Sequence, residues 1–326
     1  MPAELTVRPY RPGDEQAILE LFARSFPHDP RKLDHFVWKY RANPWLSERI
    51  SLTFDEERLV GHYAGYGVPF VFGERDLLAH QIGDTMTDVA VRHVGRGPSS
   101  VLGRTALDFY ARFCEGQVAF NFGFNVANIQ KFSLRFLRSD RVEPVAYRLG
   151  PPLPPIGRVE RRIAGYTLEA VDTTDAAWDT LFRRVRRAYG FTVRRDAAWV
   201  RWRYLEAPGR PYIVIAIRKW RQLVGWVVFR IRENRFVLGD ALLHPDFPEA
   251  LGIALRHLVP LHGADAIEGW FPPRPRWLHL ILEELGLELR PEPQNLSLMC
   301  VPFAWPDVVQ AMRDSLHYTW GDSDLF

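Results

Sequence analysis

Cysteine is nearly missing, with Cys114 and Cys300 the two among 326 residues. That excludes the disulfide framework of a small secreted scaffold. No run of 18 or more apolar residues occurs, so the sequence offers no candidate membrane-spanning helix. The segment MPAELTVRPYRPGDEQ reaches charged residues at once and lacks the apolar core of a signal peptide. A soluble, cytoplasmic protein is expected. Lysine is scarce as well, standing only at Lys32, Lys39, Lys131 and Lys219. The ten histidines show no His-Glu-x-x-His spacing, so no metal site is expected.

What is present fits a folded chain of about two domains, at roughly 150 residues each. Apolar residues make up 47% and aromatic residues 13%, enough for a sizeable core, while 25% charged residues exclude a wholly disordered chain. The pI is 8.9, yet 42 basic residues face 39 acidic ones. Without a clustered basic face, that balance argues against a nucleic-acid partner.

Four prolines crowd Gly150-Pro-Pro-Leu-Pro-Pro-Ile-Gly157 and cannot continue a helix or a central strand. We read residues 149–162 as a linker between domains at 1–148 and 163–326. Residues 38–61 and 202–225 align without gaps at an offset of 164 positions. Trp38, Tyr40 and Pro44 meet Trp202, Tyr204 and Pro208; Leu59-Val60-Gly61 meets Leu223-Val224-Gly225. Gly83-Asp84 pairs with Gly239-Asp240 at an offset of 156. One fold used twice is expected.

Alternation and helical spacing give the elements of each copy. Strands are expected at Thr6–Arg8, Leu52–Phe54, Val60–Tyr66, Leu77–Val91 and Val118–Phe124. Helices are expected after Pro12-Gly13-Asp14, with Ile18, Leu19, Leu21, Phe22 and Phe26 as the apolar face, and at Ser99–Phe113 and Asn128–Leu137. Tyr166–Val171 and the helix bearing Trp178, Leu181, Phe182 and Val185 open the second copy. The order predicts an α/β (α+β) fold, a mixed, mostly antiparallel sheet flanked by helices, present twice.

The segment most suggestive of chemistry is Asp88-Val-Ala-Val-Arg-His-Val-Gly-Arg-Gly-Pro-Ser-Ser-Val-Leu-Gly103. A strand ends, a loop with Gly95 and Gly97 follows, and Pro98 sits where a first helical turn tolerates it. Glycines let backbone approach a ligand closely, and free N–H groups at a helix start favour an anion, naturally a pyrophosphate. No Gly-Lys-Ser/Thr is present, which excludes a Walker loop, and Ser100 stands where a dinucleotide fingerprint needs glycine.

Arg92-x-x-Gly95-x-Gly97 resembles the acyl-CoA loop, [Gln/Arg]-x-x-Gly-x-[Gly/Ala], of the GNAT acyltransferase superfamily. Val7-Arg8-Pro-Tyr-Arg-Pro-Gly-Asp-Glu15 resembles that superfamily's first strand and helix, and Leu59-Val60-Gly61 its second strand. The resemblance covers most of residues 5–148 and, more faintly, 165–326. It implies two tandem GNAT-like domains, the second without an Arg-x-x-Gly-x-Gly loop. That copy is expected to shape the substrate cleft or a homodimer surface. The implied reaction transfers an acyl group, most simply from acetyl-CoA, to the amine of a small molecule; the alternatives are a non-catalytic acyl-CoA-binding module of a biosynthetic complex and an aminoacyl transferase of the tandem-GNAT type.

The resemblance also assigns roles. Backbone of Val89, Ala90 and Val91 would bond the pantetheine arm like an added strand. N–H groups from Val94 through Gly95, Arg96, Gly97 and Pro98 to Ser99 would surround the pyrophosphate, with Arg92 at the rim. Asn128 is similar to an asparagine that contacts the coenzyme, although a helix cap accounts for it equally. The base would lie some eight to eleven residues before Arg92, a window that holds Gln81 and Asp84 with His80 just outside it; Asp84 is the first choice and His80 the second. Alternation places both on one face. Asp240 repeats Asp84 in the copy without the loop, so a structural aspartate accounts for both equally well. The segment Asn125–Phe132 has no tyrosine to serve as the superfamily's usual acid.

Three features are given plain readings. Trp38, Tyr40, Trp202 and Tyr204 are expected to pack the scaffold, and Arg183, Arg184, Arg186 and Arg187 to face solvent. The aromatic and acidic segment Tyr318–Phe326 is read as a final strand of the second sheet, or as Asp322 or Asp324 contacting an amine.

Overall fold

A computed structural model describes residues 5–28, 31–156, 165–209 and 211–326. The end of the linker, from 157 to 162, lies outside the described residues. The first half gives strand β1 (Leu5–Pro9), helices α1 (Glu15–Ser25) and α2 (Leu33–Phe36), a π-turn at Val37–Arg41, and strands β2 (Ile50–Asp55), β3 (Arg58–Phe72) and β4 (Arg75–Thr87). Helix α3 (Val101–Phe113), β5 (Phe120–Asn125), α4 (Ala127–Phe136), β6 (Asp140–Pro144) and β7 (Tyr147–Gly150) follow. The second half opens with β8 (Tyr166–Ala170), α5 (Ala176–Tyr189), β9 (Phe191–Val193), α6 (Ala197–Val200) and a π-turn at Arg201–Leu205. Strands β10 (Ile213–Lys219), β11 (Gln222–Arg232) and β12 (Arg235–Leu243) come next. It closes with α7 (Glu249–Leu261), β13 (Ala266–Trp270), α8 (Arg276–Glu284), β14 (Glu288–Arg290), β15 (Ser297–Pro302), α9 (Val308–Ser315) and β16 (Leu316–His317). No helix among the described residues is long and apolar enough to cross a membrane.

The chain forms two compact units that are not contiguous in sequence. One comprises residues 1–69, 77–143 and 296–310; the other 70–76, 144–295 and 311–326. In the first, the strands lie in the order β1-β2-β3-β4-β5-β15-β6. In the second the order is β8-β10-β11-β12-β13-β7-β14, the same arrangement strand for strand. The sixth position of each sheet is filled by a strand from the other half of the chain. β15 runs antiparallel to β5 over Ser297–Pro302, and β7 runs antiparallel to β13 over Tyr147–Gly150. Mixed α/β architecture with largely antiparallel sheets is thus present in both units.

Local chemistry explains the helix positions. Asp175 caps α5 by accepting from the Ala177 amide at 2.9 Å, and Trp178, Leu181, Phe182 and Val185 are buried. Gly190, at φ +71°, follows its last residue. In the first unit α3 lies flush on β2 and β3 because Gly61 and Gly65 leave no side chain beneath it. A Cβ at Gly61 would fall 2.7 Å from Val101 Cγ1, and one at Gly65 would fall 3.0 Å from Phe109 Cζ. Thr53 and Thr105 share a buried hydrogen bond of 2.6 Å across that seam.

Two expected elements differ. The strand expected to run to Val91 stops at Thr87, and 89–91 is a 3-10 turn. Tyr318–Phe326 adds no strand to the second sheet; it passes through a 3-10 turn at Trp320–Asp322. Both differences arise from side chains that bind backbone locally, which period-2 patterning does not register.

A Gly61→Val change would force α3 off the sheet. An overpacked core costs about 1–3 kcal/mol, and urea denaturation should show an unfolding free energy lowered by that amount; an unchanged value would refute the flush packing.

Candidate active site

In the first unit β4 and β5 pair in parallel only from Ala79–Gln81 to Phe120–Phe122. Both continue beyond, to Thr87 and Asn125, without pairing, so the sheet splays open between Ile82–Thr87 and Gly123–Asn125. Asp84 sits in this stretch with φ +50°, a left-handed value rare for a residue with a side chain. Its carbonyl is turned to His62, whose Nδ1 donates to it at 2.7 Å. Burial pushes His62 down to about 4, so the ring is neutral at physiological pH.

The Asp84 carboxylate is held through one oxygen. Lys39 Nζ donates to Oδ2 at 2.8 Å and Tyr40 Oη at 2.7 Å, while Oδ1 accepts no hydrogen bond among the described residues. Lys39 is 2% exposed and Asp84 12%. Burial alone would raise the Asp84 carboxyl, but the Lys39 charge and these hydrogen bonds outweigh it and hold it well below the usual carboxylate range. Asp84 is therefore charged at neutral pH and a weak proton acceptor.

His80 does not share that face, contrary to strict alternation. It packs beneath Gly65 and against Phe109, on the side of α3, whereas Asp84 faces the π-turn. The left-handed residue at 84 breaks the period. His80 Nδ1 lies 3.1 Å from Asn121 Oδ1 and 3.7 Å from Cys114 Sγ. A cysteine, a histidine and an asparagine together suggest a nucleophile, but all three are buried. Burial drives the Cys114 thiol up to about 12 and His80 down to about 3, so the cluster is packing.

The loop after β4 is built by residues that sequence reasoning passed over. Asp88 is buried; it accepts from the Ala90 amide at 3.0 Å, Arg58 at 2.7 Å and Arg24 at 3.1 Å. Its own amide donates to Val60 at 2.8 Å. This capping turns Val89–Val91 into a 3-10 turn, so extended backbone is offered by Ile82–Thr87 rather than by Val89, Ala90 and Val91. Ser100, not Pro98, caps α3, accepting from the Gly103 amide at 3.1 Å and donating to Gly97 O at 2.6 Å.

The glycines are required by the loop itself. Gly95 (φ +71°) and Gly97 (φ +55°) are left-handed; a Cβ on Gly95 would collide with the Ser99 carbonyl, and one on Gly97 would fall 2.8 Å from the Phe136 ring. A Cβ on Gly103 would collide with Gly97 O. The amides of Val94, Ser99 and Ser100 are spent within the loop, and that of Arg96 reaches Ser99 Oγ at 3.2 Å. The amides of Gly95 and Gly97 find no acceptor among the described residues, and those of Val101 and Leu102 belong to the open first turn of α3. Arg92 and Arg96 are exposed beside them. Asn128 is exposed in the first turn of α4, whose cap position is Val126; it is not a helix cap. Among the described residues no cluster of His, Cys, Asp or Glu could hold a metal.

A strand opening beside a glycine loop that offers free amides at a helix start fits an extended, pyrophosphate-bearing coenzyme. Residues 6–133 match the model of the acetyltransferase (GNAT) domain. The fold is shared with a GCN5-related N-acetyltransferase from Kribbella flavida, 14% identical, covering 91% of this chain and 70% of that one at a TM-score of 0.62. A GCN5-related N-acetyltransferase from Anabaena variabilis is 12% identical over 91% of this chain and 72% of that one, at 0.65. A conserved protein of unknown function from Enterococcus faecalis is 12% identical over 95% and 75%, also at 0.65. At these identities the likeness is one of fold. No curated protein matches the chain.

Removing one partner of a buried ion pair costs about 3–5 kcal/mol, and Asp84→Asn should lose that much stability at neutral pH. Because the folded carboxyl titrates below its ordinary value, its contribution is complete above a pH of about 4 and fades as pH falls further. Urea unfolding of both proteins between about pH 3 and 7 should show the gap constant down to about 5 and closing below 4. A pH-independent gap would contradict the ion pair.

Proposed function

We propose that the first unit is an acyl-CoA-dependent N-acyltransferase, most simply acetyl-transferring, that acts on the amine of a small molecule. The carrying observation is the pair of unengaged loop amides, at Gly95 and Gly97, set beside the splay of β4 from β5. When bound, acyl-CoA would supply an activated thioester. The amides of Gly95, Gly97, Val101 and Leu102 would hold its pyrophosphate, aided by Arg92 and Arg96. The unpaired edges of Ile82–Thr87 and Gly123–Asn125 would orient the arm that leads to the acyl group, and Asn128 stands at their mouth.

Asp84 would act at Oδ1, the oxygen left unbonded by Lys39 and Tyr40. A permanently charged carboxylate would orient the amine by accepting a hydrogen bond from it, while the ammonium form gives up its proton directly to water before attack. Proximity then supplies much of the acceleration. We read the second unit as a degenerate copy of the same fold, without the coenzyme loop, in a chain expected to work in the cytoplasm. A coenzyme-binding module without turnover is the second reading, favoured by the ion-paired Asp84 and by the lack of tyrosine in α4.

Thermal unfolding with and without acetyl-CoA tests the proposal. Ligand at 100 times its Kd should stabilise the wild type by about 2.7 kcal/mol. Gly97→Glu and the milder Arg96→Glu should remove or shrink that gain. No gain at millimolar acetyl-CoA sinks the reading; a gain without turnover on any amine selects the second.

A further inference from the structure

The second unit carries the same opening, and it is filled. β12 and β13 pair in parallel from Arg235–Leu238 to Ala266–Gly269 and no further. Asp240 lies just past that point, bound by Tyr204 Oη at 2.6 Å, as Tyr40 binds Asp84. Over it runs the segment Thr319–Phe326. Trp320 stacks on Trp270, at the end of β13, with centroids 4.9 Å apart and planes 5° from parallel. Gly321 passes so close to Tyr204 Oη that a Cβ there would collide with it, and the Phe326 ring packs where a Cβ on Gly239 would lie.

The contacts that hold this segment are those of ligand recognition, not of a sheet. Arg203 donates to the carbonyls of Gly321 at 2.9 Å and Ser323 at 2.8 Å. Arg195, fully buried, binds Asp322 Oδ2 at 2.5 Å and Asp240 Oδ1 at 2.8 Å. Tyr212 stacks on Phe326 at 4.9 Å and donates to its carbonyl at 2.7 Å. One arginine reads a carboxylate, another reads backbone carbonyls, one indole receives an indole, and a bare glycine makes room for a ring.

We propose that the opening between β12 and β13 is a peptide-binding cleft, specific for a Trp-Gly-Asp segment with an aromatic residue four positions on, and that Thr319–Phe326 is its intramolecular ligand. The loss of the glycine loop removes the phosphate cradle from this unit; the resident segment takes the rest of the place. The inference does not depend on acyl transfer by the first unit.

The test uses the full chain. Gly321→Val forces the segment off Tyr204 while leaving every residue of the cleft unchanged. That variant should bind the free peptide Thr-Trp-Gly-Asp-Ser-Asp-Leu-Phe one to one by fluorescence anisotropy. The wild type, already occupied, should not, and neither protein should bind the peptide with valine for glycine. A folded variant that ignores the peptide overturns the proposal. Should the variant not fold, hydrogen exchange on the wild type decides: amides of 319–326 are expected to exchange by release of the segment alone, ahead of β11 and β12. Exchange only together with those strands would make the segment ordinary core and overturn the inference. Acetyl-CoA binding is read separately, so either idea can fail without the other.

Discussion

The structure of the first unit depends on one departure from regular β geometry. β4 leaves β5 after Gln81, and a left-handed residue, Asp84, stands in the stretch that leaves it. Such a conformation costs on the order of 1–3 kcal/mol and persists only where its surroundings enforce it. Here they do so through both backbone and side chain. His62 takes the carbonyl, and Lys39 with Tyr40 takes one carboxylate oxygen. The orientation of Asp84 and its low proton affinity are consequences of that arrangement.

The loop beyond the opening follows a similar logic. Asp88 ends the strand by gathering an amide and two guanidinium groups, and Ser100 starts the helix by closing on Gly97 and Gly103. Gly95, Gly97 and Gly103 are needed because the chain crosses itself closely, not merely because a ligand must approach. The amides left over at Gly95 and Gly97 are those that a bound phosphate would satisfy.

The two units place a Tyr–Asp pair at the same step of the sheet and use it differently. In the first, the cation beside it is Lys39. In the second, Arg203, at the position matching Lys39, turns to carbonyls of the 319–326 segment, and Arg195 supplies the charge to Asp240. The recurring aspartate therefore marks the fold, and the two units differ in which of its oxygens are engaged. Trp202 and Tyr204 are buried, in keeping with scaffold packing.

From the sequence alone, helical and strand periods place α1, α3, α4 and α5 and strands β1, β2, β4, β5 and β8 to within a few residues. The glycine spacing at 95 and 97 locates the loop, because φ above zero leaves its mark on residue type. The repeated Trp-x-Tyr and Gly-Asp fall at matching steps of the two sheets. Tertiary structure decided what depends on distant partners. Strands β15 and β7 complete each other's sheets, Asp84 is paired with Lys39 and Tyr40, His80 faces α3, and 319–326 fills an opening instead of adding a strand. None of these leaves a local pattern, since each is fixed by contacts between residues far apart in the chain, and pairing energy depends on the partner as well as on the segment.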